Sequence, residues 1–290
     1  MRKALASILI LGVLMLPSIC HANGPGTTAA SFLEIGIGAR PTAMGDAYTA
    51  LSSDGTSLYW NPAGLTYLKT REISATYNSW FGGIRQGYLS FALPLSHGCV
   101  ALGTNYVDMG KIDGRDEMGN PTGDFTCSDT HVFFGYANRF KNISWGVTVG
   151  WLQDAIGEDK KNTFLGTLGF LYPVTNSATV GIAAQNIGSR LGEDPLPLTL
   201  RAGVSAKFEN ITLAHDVVKP KDDEMYYCFG VEWDLGSSFA LRAGYKTNQD
   251  IGEGITAGIG FKMERTRVDY AYVPYGDLGS THRISFGIKF

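Results

Sequence analysis

Charged residues recur at alternate positions in the second half of this 290-residue chain, within segments that are otherwise apolar. Alternate residues of a β-strand share one face, so these charges would line a single side of a sheet. Both signs are interleaved, which favours ion pairs that satisfy one another over an ion-selective pore, because such a pore usually carries a ring of one sign. The charged residues that we predict on this face include Arg201, Glu232, Arg242, Lys262, Glu264, Arg267 and Asp269.

No residue pattern indicates catalysis. Four of the five histidines, His97, His131, His215 and His282, lie in different segments of the chain. No Gly-x-Ser-x-Gly motif, paired-carboxylate motif or metal-ligand spacing accompanies them. We therefore predict that the protein is not an enzyme, with no catalytic residues, no cofactor and no metal.

The alternation that carries the charges extends over most of the chain. From Arg71 onward about fourteen segments alternate between apolar and polar residues, and aromatic residues often stand at the ends of the apolar faces. A soluble, secreted β-sandwich also alternates, but it has no reason to place aromatic residues at strand ends. We therefore predict an all-β fold, a transmembrane antiparallel β-barrel of about fourteen strands in the bacterial outer membrane.

The chain ends on an alternating strand whose last residue is aromatic. Phe286, Ile288 and Phe290 share its apolar face, opposite Arg283 and Lys289. This ending resembles that of outer-membrane barrel proteins, and the resemblance implies that the barrel-insertion machinery reads these three apolar residues as an insertion signal. The outer-membrane lipid and this machinery are therefore expected partners.

The connections between strands alternate between short and long along the chain. Lys111–Ser128 is the longest of them, and Gln153–Asn162 and Gly188–Pro197 are also long. In outer-membrane barrels the short turns face the periplasm and the longer loops face outward. An even number of strands then predicts that the N-terminal segment and Phe290 both lie at the periplasmic end.

The first 22 residues have the organisation of a signal peptide. Arg2 and Lys3 precede an apolar run from residue 4 to 16, and a small-x-small site follows with cleavage expected after Ala22. A membrane anchor and a lipoprotein processed at Cys20 are the alternatives. Removing both basic residues leaves 22 basic and 27 acidic ones, a formal charge of −5, and no basic stripe suggests a nucleic-acid partner.

Three cysteines remain after the signal peptide: Cys99, Cys127 and Cys228. An odd number gives no disulfide framework. The strand count places Cys127 and Cys228 at the same end of the barrel, so this pair is the one that could form a disulfide.

Residues 23–70 do not alternate and precede the barrel expected over residues 71–290. Pro41 and Thr42 can begin a helix that continues to Leu51, and turns are expected at Asp54-Gly55 and Asn61-Pro62. A barrel of this size encloses more space than its own side chains fill. A hatch, or plug, inside the barrel is therefore favoured over a small periplasmic domain.

Within this segment, Gly38-Ala39-Arg40-Pro41-Thr42-Ala43-Met44-Gly45-Asp46-Ala47 is followed by Asp54-Gly55 and by Asn61-Pro62-Ala63-Gly64-Leu65. The combination resembles the N-terminal region of the PorV/PorQ family, which is related to the FadL-type transporters of hydrophobic compounds. The resemblance covers about residues 32–66, and the strand count and the terminal Phe290 extend it less specifically over the rest.

The resemblance implies a non-enzymatic barrel that binds or passes small hydrophobic molecules. The hatch residues expected to act in this are Arg40, Met44, Tyr48, Trp60, Asn61 and Pro62. Side chains such as Tyr48 and Trp60 more often serve as packing inside a hatch than as ligand contacts. One alternative is a type IX secretion component that binds or shuttles exported proteins and has secretion-system partners. Another is a structural barrel without transport.

Overall fold

The alternating segments form fourteen long strands. The structure is a computed structural model that describes Gly24 and residues 26–249 and 251–290. The expected signal peptide, residues 1–22, lies outside the described residues. The strands are β1 Glu72–Ser79, β2 Arg85–Leu95, β3 Gly98–Arg115, β4 Pro121–Phe140, β5 Ile143–Ile156, β6 Asp159–Pro173, β7 Ala178–Gly188, β8 Thr199–Phe208, β9 Ile211–Pro220, β10 Tyr226–Leu235, β11 Phe239–Lys246, β12 Ile255–Lys262, β13 Thr266–Pro274 and β14 Ser280–Lys289.

These strands close into one antiparallel barrel. Each pairs with its neighbours along the chain, and β14 pairs with β1. At this closing seam Ala75 lies opposite Phe286, and the Phe290 N–H donates to the Arg71 carbonyl at 3.1 Å. Closure leaves no free sheet edge. The predicted fold class is confirmed, and β13 and β1 flank the last strand.

The two faces of the wall differ as the alternation predicts. On β14, Arg283 is 3% exposed, whereas Ile284 is 53% and Phe286 40% exposed. Large apolar side chains with similar exposure face outward on every one of the fourteen strands, whereas the buried charged residues of the strands face inward. An apolar outer surface with a polar interior is the arrangement that a barrel surrounded by lipid needs.

The two ends of the barrel differ in their connections. The short connections, residues 96–97, 141–142, 174–177, 209–210, 236–238 and 263–265, lie at the end that also holds Phe290, here called the turn end. The opposite end is called the loop end. No helix among the described residues is long and apolar enough to cross a membrane.

The longest predicted loops are largely strand. Most of Lys111–Ser128 belongs to β3 and β4, which pair up to Arg115 and turn at residues 116–120. Gln153–Asn162 is likewise a hairpin of β5 and β6 around Gly157. The expectation of loops here was wrong because both hairpins continue their pairing beyond the roughly 10 residues that cross a membrane.

The N-terminal segment contains only short helices. These are a 3₁₀ turn at Ser31–Glu34, α1 at Ala39–Ala43, α2 at Ser57–Trp60 and a second 3₁₀ turn at Pro62–Tyr67. The predicted helix from Thr42 to Leu51 is wrong, because Gly45 and Asp46 both have φ near 63° and stop it. A Cβ on Gly45 would come within 2.7 Å of the Tyr245 amide nitrogen, so close contact with β11 sets this break.

The N-terminal segment lies against the inward faces of the strands and runs from one barrel end to the other. Near its start, the Ala29 N–H donates to the Pro195 carbonyl at the loop end, and Thr28 bonds Asp222 there. It reaches β1 at the turn end. The prediction that this segment lies at the same end as Phe290 therefore holds for its last residues and is wrong for its first.

Candidate functional site

Arg40, the charged residue of α1, reaches across to the barrel wall. Its Nη2 and Nε donate to the two oxygens of Glu232 on β10, at 2.7 and 2.8 Å. Glu232 also accepts from Arg242 Nε on β11 at 2.6 Å. A carboxylate that bridges two guanidinium groups in this way is held by charge-assisted hydrogen bonds.

The chain of ion pairs continues through β13 and returns to the N-terminal segment. Arg242 Nη1 lies 2.9 Å from Asp269 Oδ1, and Arg267 Nε lies 2.8 Å from Asp269 Oδ2. Arg267 Nη2 in turn donates to Asp54 Oδ2 at 2.7 Å. Four residues of the wall thus connect two residues of the N-terminal segment.

Tyr48 closes this chain into a ring. Its hydroxyl donates to Asp54 Oδ2 at 2.9 Å and accepts from Arg40 Nη1 at 3.2 Å. Three arginines and three carboxylates therefore balance one another. We call Arg40, Tyr48, Asp54, Glu232, Arg242, Arg267 and Asp269 the ion-pair ring. Because these groups are largely buried, removing one partner would leave an opposite charge without compensation.

Asp54 illustrates the strength of the ring. Burial raises the pKa of its carboxyl, but the Arg267 guanidinium, the hydrogen bond from Thr56 and the charge of Arg40 outweigh this. The net result is a pKa well below the usual range of an aspartate. The carboxyl therefore stays charged down to strongly acidic pH.

A second carboxylate, Asp216 on β9, holds the segment that follows α1. Its Oδ2 accepts from the N–H groups of Tyr48 and Thr49 at 3.1 and 2.9 Å and from the Thr49 hydroxyl at 2.6 Å. Arg201 on β8 lies 3.2 Å from the same oxygen and also donates to the Asp46 carbonyl at 2.6 Å. Asp216 and Arg201 thus fix the backbone beside the ring.

Asn61 bonds the N-terminal segment to the backbone of two strands. Its Nδ2 donates to the carbonyls of Phe170 on β6 and Ile182 on β7, at 3.1 and 3.4 Å, as well as to Thr49. Its Oδ1 accepts from Ala63 N at 3.2 Å and caps the 3₁₀ turn that Pro62 begins. The expected turn at Asn61-Pro62 is confirmed.

Trp60 and Met44 are packing residues in this structure. The Trp60 indole is 1% exposed and donates to the Ile37 carbonyl at 2.7 Å. Met44 is fully buried against Ala214 and Cys228. Of the six predicted hatch residues, Arg40 and Tyr48 thus enter the ring, Asn61 and Pro62 make the backbone anchor, and Trp60 and Met44 fill space.

A cavity of about 470 Å³ lies between the ring and the turn end. Arg40, Glu232 and Arg242 line it on the side of the ring. The predicted lumen charges Lys262 and Glu264 also line it, but both are exposed and lie outside the ring. The structure thus brings Glu232, Arg242, Arg267 and Asp269 together, while Arg201 belongs to the Asp216 anchor.

Three charged residues that matter here, Asp54, Glu72 and Asp216, were not among the predicted site residues. Glu72 is buried at the start of β1 and accepts from the Gly55 N–H at 2.8 Å. Strand alternation would have placed Glu72 and Asp216 inward. No signal in the sequence showed that Asp54, expected only as a turn residue, meets Arg267.

The histidines and cysteines make no reactive centre in the described part of the chain. Cys99, Cys127 and Cys228 are free and buried, so the disulfide considered between Cys127 and Cys228 is absent. His131 stacks on Phe133 inside the barrel, and His282 contacts Tyr270 on its outer face. Across residues 26–249 and 251–290, no three His, Cys, Asp or Glu side chains are placed to hold a metal ion.

The fold is similar to those of solved hydrocarbon transporters. The Pseudomonas putida toluene transporter TodX matches with a TM-score of 0.61 and 13% identity, over 93% of this chain and 98% of that one. The CymD monoaromatic hydrocarbon channel matches with a TM-score of 0.62 and 16% identity, over 88% and 98%. A Pseudomonas aeruginosa FadL homologue matches with a TM-score of 0.53 and 11% identity, over 83% and 95%.

Sequence comparison adds no assignment. No family model matches the chain, and no curated protein matches it either. The structural matches show that the chain has the fold of FadL-like barrels. Membership of the PorV/PorQ family and a role in type IX secretion stay predictions.

Proposed function

We propose that this protein is a non-enzymatic barrel of the bacterial outer membrane that passes small hydrophobic molecules. In this proposal residues 24–70 are a hatch that closes the lumen and moves to let them through. The observation that carries it is the ion-pair ring, in which Arg40 and Asp54 of the hatch pair with Glu232 and Arg267 of the wall by discrete polar contacts. The solved barrels of similar fold are described as monoaromatic hydrocarbon channels and a toluene transporter, which supports this class of cargo.

The outer surface supports the membrane location. Trp233, Phe239 and Phe261 are exposed near the turn end, and Tyr77 and Tyr245 are exposed near the loop end. Aromatic side chains favour the two boundaries between lipid and water. The apolar residues between them would face hydrocarbon, as in other outer-membrane barrels.

The interior supports a gated passage. At the loop end Phe32 and Leu33 of the hatch are buried against Val107, Leu152 and Leu165 of the wall, an apolar contact that an entering hydrophobic molecule would have to replace. At the turn end the interior is a charged cavity. A molecule that crosses must therefore leave apolar contacts, displace part of the hatch, and exit through water.

A reversible lock on the hatch tests this proposal. The hydroxyls of Thr66 in the hatch and Ser144 on β5 lie 2.9 Å apart, so cysteines at both positions would form a disulfide with little movement. The variant Thr66→Cys/Ser144→Cys is made with Cys99, Cys127 and Cys228 replaced by alanine. Uptake of radiolabelled toluene is then measured in a host that lacks its own channel.

Three outcomes are informative. We expect the unmodified barrel to raise the initial uptake rate, the oxidised variant to fall to the level of the host, and reduction to restore uptake. Equal uptake by the oxidised and reduced forms would show that passage does not require the hatch to move at Thr66. No uptake by the unmodified barrel would reject toluene as cargo. The single variants, Thr66→Cys and Ser144→Cys, control for the substitutions themselves.

A further inference from the structure

Exposed charges are divided unevenly between the two ends of the barrel. Among the described residues, the turn end exposes eight basic side chains and only two carboxylates, those of Glu209 and Glu264. The loop end exposes seven basic side chains and twelve carboxylates. The turn end is therefore positive, although the chain as a whole has a formal charge of −3. A surface whose sign is opposite to that of the molecule attracts a partner that the rest of the molecule repels.

Three of the eight basic side chains at the turn end already have partners. Lys207 Nζ lies 2.7 Å from Asp234 Oδ2. Arg139 Nε donates to the Ser144 hydroxyl at 3.0 Å. The Lys141 ammonium lies over the ring of the preceding phenylalanine, 5.4 Å from its centre. These three side chains are therefore less available to another molecule than the remaining five.

The remaining five basic residues lie side by side at the ends of four strands. The strands are β12, β13, β14 and β1, which are consecutive around the barrel because β14 pairs with β1. Among the five, Lys289 pairs with a carboxylate, and its Nζ lies 3.6 Å from Glu72 Oε2. The other four have no carboxylate partner in the described part of the chain. These five residues, here called the cationic arc, are Lys69, Arg71, Lys262, Arg265 and Lys289.

The length of the cationic arc indicates the size of its partner. Neighbouring strands lie about 4.8 Å apart, so an arc over four strands is about 15 Å long. A single phosphate or carboxylate group is much shorter than this. About five residues of extended polypeptide match it, because an extended chain rises by about 3.3 Å per residue. The arc therefore fits an extended molecule that carries several negative charges.

The direction of the cationic arc separates it from the lipid. Lys262, Arg265 and Lys289 all line the charged cavity inside the turn end. Phe261 and Phe290, which stand next to two of them in the chain, are exposed apolar residues at the same end. Side chains alternate between the two faces of a strand, so these phenylalanines lie on the lipid side and the cations on the lumen side. The cations therefore border the mouth of the lumen.

We propose that the cationic arc docks an extended acidic segment of a partner protein, whose Asp and Glu side chains pair with the cations that have no carboxylate partner. Charge complementarity selects this partner, and the acidic loop end would repel it. The short turns of outer-membrane barrels face the periplasm, so the partner is a periplasmic protein. This inference rests on the membrane location in the proposed function.

Peptide binding to the reconstituted barrel tests the cationic arc. The protein is placed in phosphatidylcholine nanodiscs, which leave both ends accessible, and binding of fluorescein-labelled hexaglutamate is followed by fluorescence anisotropy. We expect saturable binding that weakens as the salt concentration rises, because salt screens exposed charges. Unlabelled hexaglutamate should displace the probe, whereas hexaglutamine should not. Absence of saturable binding would overturn the proposal.

A triple variant removes three cations of the arc that have no carboxylate partner. Arg71→Gln/Lys262→Gln/Arg265→Gln should weaken the binding of hexaglutamate about tenfold or more, because each exposed ion pair contributes a small part of the affinity. If this variant fails to assemble, a photoreactive hexaglutamate is used on the unmodified barrel. It should label peptides from the turn end, and labelling of loop-end peptides alone would overturn the proposal.

A matched control removes three exposed cations from the loop end. Lys111→Gln/Lys160→Gln/Lys161→Gln changes the net charge by the same amount as the first variant. We expect it to leave the binding of hexaglutamate unchanged. An equal loss in both triple variants would show that the peptide responds only to the net charge of the protein, and would overturn the proposal.

Two other occupants are also tested. Displacement of the probe by inorganic phosphate at the same concentration would show that a small anion is sufficient, which would overturn the extended segment. Native mass spectrometry of the barrel released from nanodiscs that contain phosphatidylglycerol tests an anionic lipid. Retention of phosphatidylglycerol by the unmodified barrel but not by Arg71→Gln/Lys262→Gln/Arg265→Gln would assign the arc to lipid headgroups and overturn the protein partner.

The uptake of toluene separates this inference from the proposed function. Binding of hexaglutamate to the arc without toluene uptake by the unmodified barrel would support the arc and reject toluene as cargo. Toluene uptake without any binding of hexaglutamate would reject the arc and leave the proposed function in place.

Discussion

At the scale of single residues, Glu232 is the carboxylate of the ion-pair ring that joins an arginine of the hatch to an arginine of the wall. It bonds Arg40 of the hatch and Arg242 of the wall at the same time. Its side chain is 6% exposed, whereas the nearby pair Lys207 and Asp234 is 53% and 34% exposed at 2.7 Å. The Arg40–Glu232 pair has the same N···O distance of 2.7 Å as the Lys207–Asp234 pair. The two pairs nevertheless differ in interaction energy, because water screens only the exposed pair.

Glu232→Gln should destabilise the barrel by about 3 kcal/mol or more, because two buried guanidinium groups lose their shared carboxylate. Asp234→Asn is the matched control and should cost about 1 kcal/mol or less. Unfolding by urea of the reconstituted protein measures both, and hydrogen exchange over residues 39–55 locates the effect. Equal losses in the two variants would show that the ring does not anchor the hatch.

The sequence allowed part of this site to be predicted. Alternation along β8, β10, β11 and β13 was sufficient to place Arg201, Glu232, Arg242 and Asp269 inward. It could not tell which of them meet, because partners such as Asp54 and Arg267 are 213 residues apart along the chain. It also could not tell that Lys262 and Glu264 are exposed and lie outside the ring, since alternation does not show how close a residue is to the end of the barrel.

At the scale of elements, the 3₁₀ turn at Ser31–Glu34 is held by the packing of Phe32 and Leu33 and not by a cap. It has no side-chain cap, and its N-cap, Ala30, has a left-handed φ of 57°. Glu34 keeps an exposed edge, but its crowded surroundings and the neighbouring carboxylate of Asp222 raise its pKa to about 7. A raised carboxyl pKa means that the folded state binds this proton more tightly than the unfolded chain.

The turn should therefore loosen as pH rises from about 4.5 to about 7, the interval between the ordinary and the raised pKa of Glu34. Glu34→Gln should remove this dependence, so that it protects the turn relative to the unmodified protein above pH 7 and has little effect below pH 4.5. Hydrogen exchange of residues 31–36, corrected for the intrinsic pH effect, measures it. Glu117→Gln, in the exposed turn between β3 and β4, is the control, and the same difference at both pH values would contradict the prediction.

The elements also show where local patterns mislead. Apolar residues at helical spacing predicted a helix up to Leu51, but the close approach of Gly45 to β11 ends α1 at Ala43. The apolar spacing did identify buried positions correctly, since Met44, Ala47 and Tyr48 are all buried. Contact with the wall, which no local pattern contains, decided the backbone conformation.

At the scale of the whole molecule, the closing seam was predictable because the alternation gives the number of strands, and this number is even. An even number of strands brings β14 beside β1, and each residue of β14 keeps a defined partner. A slip of one residue would turn Arg283 toward the outer face, so the register is strongly specified.

A disulfide across the seam tests this register. Ala75→Cys/Phe286→Cys joins residues that lie directly opposite each other and should oxidise readily in a background without the three described cysteines. Ala75→Cys/Ile284→Cys, in which the second cysteine lies opposite Tyr77 instead, should oxidise poorly. Gel mobility of the proteolysed barrel under non-reducing conditions measures both, and a preference for the second pair would reject the seam.

The course of the N-terminal segment from the loop end to the turn end has a consequence for assembly. A chain cannot easily be threaded through a barrel whose interior it already fills, so the segment must be in place while the sheet is still open. The segment would then act as a template, and the strands would fold around it before β1 pairs with β14. Gly230 and Gly244 have no side chains and therefore leave room for the backbone of residues 44 and 45. These two glycines would let the strands close around a segment that is already in place.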